Sequence, residues 1–383
     1  MKIENIRLLP LRGATPDGGW DEKLLRDDTN LHTLIEVVTD EGVTGVGSVF
    51  TSETLVRGAI EVLHPFLIGV SAIDPTVTSE RLHQQSFWQG RGGAITHAIS
   101  GIDIALWDIL GKVTGQPISR LLGGRYRETI KPYASLLMSD TGQMERDLEA
   151  GLMRGFRAFK IGWGPFGRVS SATDQRIIQS ARHIVGDDVE LMVDAGGSDA
   201  FWPHGYKWAL NTSKMLEGYA VTWFEEPLRP DDLNGYRLLT ENSPIPIAGC
   251  EVLTRRQAFI PWIEQRAIDY VQPDVTKVGG ISEEFRIAEL ADDRSILFVP
   301  HGWNTAVGLA ADLQLVAAAR NARWVEYLTP SRYIDDLLLE PIIMSDQGEL
   351  QIPDGPGLGM RWNPDGIAKY TGGMTLTSSA ISF

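Results

Sequence analysis

The rhythm of hydrophobic and polar positions changes twice along this chain. Residues 2–10 read as a strand, and HTLIEVV (32–38) and VTGVGSVF (43–50) flank Asp40, Glu41 and Gly42. Two β-rich runs around such a turn predict a hairpin. Between the first strand and the hairpin, residues 13–30 are polar and glycine-rich and carry Trp20. A loop of that length is usually either functional or disordered. From about 52 to 122 the period becomes helical. Ile99, Ile102, Leu106, Ile109 and Val113 recur at helical spacing and predict one apolar stripe, and Gly115 and Pro117 end that helix. Residues 1–128 therefore read as a small α+β domain.

Beyond it, short apolar runs alternate with helical segments. TIKPYASLL (129–137) comes first, followed by FRAFK, VELMVD, VTWFEEP, IPIAGCE, AIDYVQPD, ILFVPH and RWVEYL. The last seven close on polar residues at 160, 194, 225, 251, 274, 301 and 326, in steps of 23 to 34 residues. A (β/α)8 barrel of about 250 residues spends about 31 on each unit, so every step fits one unit. The pattern predicts an α/β fold, a (β/α)8-type barrel following the N-terminal α+β domain.

In such a barrel the catalytic groups stand at the C-terminal ends of the strands and face one pocket. Here those ends are Lys160, Asp194, Glu225, Glu251, Asp274, His301 and Glu326. Any one of the carboxylates alone reads more readily as a helix cap or a solvated loop group. Asp194, Glu225 and Glu251 on successive strands would repel one another unless compensated. An all-oxygen set points to a hard cation, Mg²⁺, with Mn²⁺ the alternative. Glu226 should point away from Glu225 and is expected to be structural. Lys160 and His301 fall on opposite sides of this triad, as proton removal and delivery require. Asp274 is placed to accept the His301 ring N–H and raise its pKa.

Composition narrows the class. The 383 residues are 43% hydrophobic and 22% charged, the balance of a soluble globular protein, with 11 Trp. A net charge of −15 argues against nucleic acid, whose phosphates need clustered Lys and Arg. The lone Cys250 excludes an intrachain disulfide. The opening MKIENIRLLPLRG has no uninterrupted apolar stretch, and no run approaches 18 apolar residues, so a cytoplasmic protein without a membrane partner is expected. Its expected partners are a small anionic substrate and further copies of the same chain.

The motifs together resemble the mandelate racemase subgroup of the enolase superfamily over nearly the whole chain. SGIDIALWDILGK with LLGG, FKIG, MVDAG, WFEEP, IAGCE, QPDVTKVGG, PHGW and IPDGPGLG carry the likeness. The resemblance implies that Asp194, Glu225 and Glu251 ligate Mg²⁺, that Lys160 is one general base, and that His301 with Asp274 is the other. It further implies a modified TIM barrel over 129–345 capped by the α+β domain 1–128, with 346–383 returning to that cap. It also implies that Glu326 donates a hydrogen bond to the developing enediolate, and that loops of the cap set specificity. Trp20 is thereby a candidate lid residue.

Two positions depart from the family pattern. The usual Lys-x-Lys reads Ala158-Phe159-Lys160, and a missing neighbouring cation leaves Lys160 less readily neutral. Lys160 is then expected to be an acid or an electrostatic clamp, with His301 the principal base. Gly196 stands where the family often has Asn, two residues after the first metal ligand. A contact to the substrate hydroxyl is thereby missing, and Trp202 and His204 are the candidates to replace it. Lys277 reads as a salt bridge behind the site, and Gly279-Gly280 is a weak phosphate-cradle signal.

The first step, removal of a proton α to a carboxylate, follows from the site. Dehydration of an aldonate or aldarate to a 2-keto-3-deoxy acid is the favoured outcome by resemblance. Racemisation or epimerisation, and cycloisomerisation of a sugar-acid lactone, are the alternatives through the same intermediate. A retaining glycosidase would leave the metal triad unexplained. A zinc hydrolase lacks clustered His ligands. A non-catalytic barrel predicts a broken triad.

Overall fold

A computed structural model describes residues 1–15, 19–199 and 201–380. Its N-terminal sheet is β1 (Ile3–Leu11), β2 (His32–Thr39) and β3 (Thr44–Val49), antiparallel in that order, with the β2–β3 hairpin turning at Gly42, φ 76°. Helices Glu53–Leu63, Pro75–Gln85 and Ala94–Thr114 follow. The third lies directly on β3, because a Cβ on Gly47 would come within 1.9 Å of the Gly101 carbonyl oxygen. Glycine at 45 and 47 lets the two backbones meet.

That contact changes the expected single stripe. Ile99, Ile102, Leu106 and Ile109 are buried, but so are Ser100, Asp103 and Asp108, while Val113 is exposed. The helix is covered by the cap sheet on one side and by the barrel on the other. Asp108 accepts the amides of Val46 and Leu358, and Asp103 accepts the amide and hydroxyl of Ser282. By length and composition this helix could cross a membrane, yet 78% of its apolar window is buried inside the protein. It is a core helix.

The barrel strands are β4 (Thr129–Ser135), β5 (Ala158–Gly162), β6 (Glu190–Asp194), β7 (Val221–Glu225), β8 (Ile247–Gly249), β9 (Tyr270–Val271), β10 (Leu297–Phe298) and β11 (Trp324–Leu328). They pair in parallel in the order β10-β9-β8-β7-β6-β5-β4-β11. A bridge between Phe298 and Ala322 joins the two ends of this path. β12 (Leu350–Gln351) runs antiparallel to β4. The chain then returns to the cap: the Arg12 amide donates to the Tyr370 carbonyl, and the Ala380 amide to the Gly42 carbonyl.

Strand residues two apart share a face. Inside the barrel Tyr133, Ala158, Met192, Trp223, Ala248, Val299 and Trp324 form one buried cluster. Five of these stand two residues before Lys160, Asp194, Glu225, His301 and Glu326. The cluster is thus the floor beneath the polar strand ends. Glu251 breaks this spacing because Cys250 turns the backbone at φ 90°.

Candidate active site

Carboxylate oxygens of Asp194, Glu225 and Glu251 all lie within 4.8 Å of one another, and the three residues are buried. Burial, only partly offset by Lys160 and reinforced by Glu251, raises the Asp194 pKa to about 6. Burial likewise raises that of Glu225. Acids crowded in this way favour a bound cation, and a ring of oxygens this small suits one hard dication. The donor set fits the expected metal. Glu225 is oriented through Oε2 by the Trp223 indole at 2.9 Å and the Gln272 amide at 2.7 Å. Asp194 accepts the Gly196 amide on Oδ1 at 2.7 Å and the Trp163 indole on Oδ2 at 3.0 Å.

Lys160 points into this cluster. Its Nζ lies 2.5 Å from Glu225 Oε1, 2.9 Å from Glu326 Oε1 and 3.8 Å from Asp194 Oδ2. Burial opposes its charge, but Glu225 and Glu326 overcome it and raise the lysine pKa well above the usual value. Below it, the place of the absent first lysine is taken by Ala158 in the aromatic floor with Tyr133, Trp223 and Trp324.

His301 stands on the other side. Its Nδ1 is 2.8 Å from Asp274 Oδ2 and its Nε2 is 3.1 Å from Glu251 Oε2. Asp274 also accepts the Thr276 amide and hydroxyl and meets Lys277 Nζ at 3.3 Å. Against its burial, Lys277 and His301 hold the Asp274 pKa well below the usual range. An ionised carboxylate only accepts, so Nδ1 is the donor and Nε2 faces the triad. Burial disfavours the imidazolium, but Glu251 outweighs it, aided by Glu326 and Asp274, and lifts the His301 pKa to about 9.

Several expectations need correction. Glu326 is an acceptor: Lys160 and the Gly302 amide, at 2.6 Å, both donate to it. Burial would raise its pKa, but Lys160 and His301 hold it below the usual carboxylate value in the metal-free protein. Trp202 is buried, its indole donating to the Pro227 carbonyl. The His204 ring stacks on Trp208 at 4.2 Å and its Nε2 meets the Gly167 carbonyl. Neither residue has a hydrogen bond or ring contact with the triad among the described residues. Trp20 packs edge-on to Tyr333 and Tyr370, tying segment 13–30 to the end of the chain, and residues 16–18 of that segment lie outside the described residues. The Gly279-Gly280 turn is filled by side chains: Ser100 accepts the Gly279 amide and Asp103 lies against Gly280. Glu226 is a further buried acid, at φ 42°; burial first, then Glu251 and Asp194, favour its neutral form.

Trp163 and Gln272 escaped the reading of the sequence. Gln272 stands two residues after Tyr270, which packs on the floor cluster, so the two-residue strand period could have revealed it. Trp163 lies just past β5, where no periodicity applies.

The mandelate racemase / muconate lactonizing enzyme N-terminal domain family matches residues 27–123, and the enolase C-terminal domain-like family matches 143–366. The chain belongs to the enolase superfamily, in its mandelate racemase group. It is 34% identical to a D-galactarolactone cycloisomerase of Agrobacterium fabrum over 97% of this chain and 99% of that one. It is 33% identical to an arabinonate dehydratase of Saccharolobus solfataricus, covering 85% and 86% of the two chains. Among solved structures, the 3,6-anhydro-D-galactonate cycloisomerase of Zobellia galactanivorans superimposes with a TM-score of 0.86 at 30% identity, over 97% of this chain and 99% of that one.

Proposed function

We propose that this enolase-superfamily protein is an enzyme that removes the proton α to the carboxylate of an acid sugar and expels the group on the β carbon. The leading reading is dehydration of an aldonate or aldarate to a 2-keto-3-deoxy acid. The observation that carries it is the asymmetry of the two basic groups. Lys160 is crowded by Glu225 and Glu326, with Asp194 at 3.8 Å, whereas His301 has Asp274 on Nδ1 and, on Nε2, only Glu251 of the triad. Racemisation needs a working base on each face, but elimination needs only one.

Asp194, Glu225 and Glu251 would hold Mg²⁺. When bound, the ion supplies Lewis-acid stabilisation of charge developing on the substrate carboxylate. With the charge of Glu251 taken up by the ion, His301 Nε2 would lose the carboxylate that holds its proton and could take the α-proton; Nδ1–H stays on Asp274, and the C–H electron pair enters the enediolate. Lys160, anchored by Glu326, donates to the substrate carboxylate as a fixed cation. The His301 proton then passes to the β-hydroxyl, which leaves as water when the C–O bond breaks. The resulting enol tautomerises to the 2-keto acid.

A second reading is favoured by the full-length similarity to the two cycloisomerases. There the β leaving group is a ring oxygen that remains in the product, so the same steps isomerise a cyclic acid sugar. Incubating the protein and Mg²⁺ with a panel of aldonates, aldarates and their lactones separates these outcomes by mass spectrometry. A product lighter by one water supports dehydration, and an isomeric keto acid supports cycloisomerisation. A product inverted at the α carbon with no keto group would overturn both.

A further inference from the structure

Gly196 has a partner in space that explains its departure from the family pattern. Trp163 follows β5 at φ 57°, and Gly196 follows Asp194 at φ 66°. A Cβ on residue 196 would lie 2.6 Å from Cε2 and 2.7 Å from Cδ2 of the Trp163 indole. The indole therefore occupies the room that a side chain at 196 would need. The same two residues grip both oxygens of the first carboxylate of the triad, the indole N–H on Oδ2 at 3.0 Å and the Gly196 amide on Oδ1 at 2.7 Å. Their strands are tied as well, since the Trp163 amide donates to the Asp194 carbonyl at 3.0 Å. Arg168 completes the bracket, donating to the Ala195 carbonyl at 3.1 Å with its guanidinium 5.7 Å from the indole centre.

We infer that Trp163 and Gly196 act as one unit, in which Trp163 is the positioning residue for Asp194 and fills the space of the side chain missing at 196. This rests on the reading of Asp194, Glu225 and Glu251 as a metal site. A free carboxylate rotates about its terminal bond. With a donor fixed on each oxygen, its outer lone pairs are aimed before an ion arrives. Partners of this kind are worth about 10–100-fold in metal affinity. The pairing also binds the two substitutions together: a side chain at 196 is excluded while the indole is present, and the indole is needed while 196 is glycine.

Calorimetric titration of the chelator-stripped full chain with Mn²⁺ tests this without a sugar substrate. Trp163→Phe keeps an aromatic ring but loses the N–H, and is expected to bind Mn²⁺ about 10–100-fold more weakly. The melting temperature of the metal-free protein should be unchanged. Gly196→Asn should weaken binding in the native background, where it strikes the indole. Combined with Trp163→Ala it should cost no more affinity than Trp163→Ala alone, because the indole it strikes is gone. Asparagine also tolerates the left-handed backbone at 196. Native affinity in Trp163→Phe, or a lower metal-free melting temperature with affinity intact, would make Trp163 a packing residue and overturn the inference. Independent effects of the two substitutions would break the pairing. If the native chain binds no Mn²⁺, the metal site itself falls and the inference with it.

Discussion

Lys160 and His301 face the same carboxylate triad from two sides, and the structure treats them differently. Lys160 is surrounded by Glu225, Glu326 and Asp194, all within 3.8 Å. His301 has one orienting partner, Asp274, on one ring nitrogen and Glu251 on the other. Surplus negative charge keeps an amine protonated, so the lysine side is built for a fixed cation. Asp274 on Nδ1 sets the tautomer, while Glu251 on Nε2 keeps the ring protonated until a cation takes up its charge. On the proposed reading, two basic groups at strand ends become clamp and base through their neighbours.

The largest effect should come from removing what both sides share. Excess chelator is expected to abolish turnover, and Glu251→Gln to weaken Mg²⁺ binding by more than the roughly 10–100-fold typical of losing a ligand's outer partner. Cooperative unfolding should persist in that variant; its loss would make Glu251 a structural residue. Next, His301→Asn should lower kcat by about 10²–10⁴-fold. A smaller drop than that of Lys160→Ala would reverse the comparison.

The contrast sharpens with pH. His301 has a folded pKa of about 9, above its usual 6.5, so its contribution to stability is full below about 6.5 and is lost as pH rises through 9. Metal-free protein should therefore melt progressively lower between pH 6.5 and 9. That fall should be absent in His301→Asn and reduced when Mg²⁺ is present to take over the charge of Glu251. An identical fall in the variant would assign the titration elsewhere. The smallest effect tests the floor beneath Lys160. Ala158→Lys restores the spacing common in the family, but the new side chain must enter the cluster of Tyr133, Trp223 and Trp324. It should destabilise the fold by about 1–3 kcal/mol, as overpacking does. Unchanged denaturant stability would show that the floor has room for a second lysine.

Much of this was legible in the residues themselves. A run of apolar positions ending in a polar one marks a barrel strand, and all seven such ends, from Lys160 to Glu326, converge at one end of the barrel. What remained hidden depends on neighbours far apart in the chain. Whether Trp20, Trp202 and His204 meet a ligand or one another is decided by Tyr333, Tyr370 and Trp208, which no local pattern links to them. Glu326 accepts from Lys160, which reaches it across the β4 strand. The helix Ala94–Thr114 shows an apolar stripe, yet its polar face is buried too, since Asp103 and Asp108 find partners in the barrel, the cap and the C-terminal segment.

The central claim is that His301, and not Lys160, takes the α-proton. Proton NMR in D₂O reads this directly, by following the α-hydrogen of an accepted acid sugar in the presence of Mg²⁺. Washout of that hydrogen, or deuterium arriving in the product, should vanish in His301→Asn. It should persist, at a turnover reduced by roughly 10²-fold, in Lys160→Ala. Exchange that survives in His301→Asn and disappears in Lys160→Ala would make the lysine the base and contradict the division of the two sides into clamp and base.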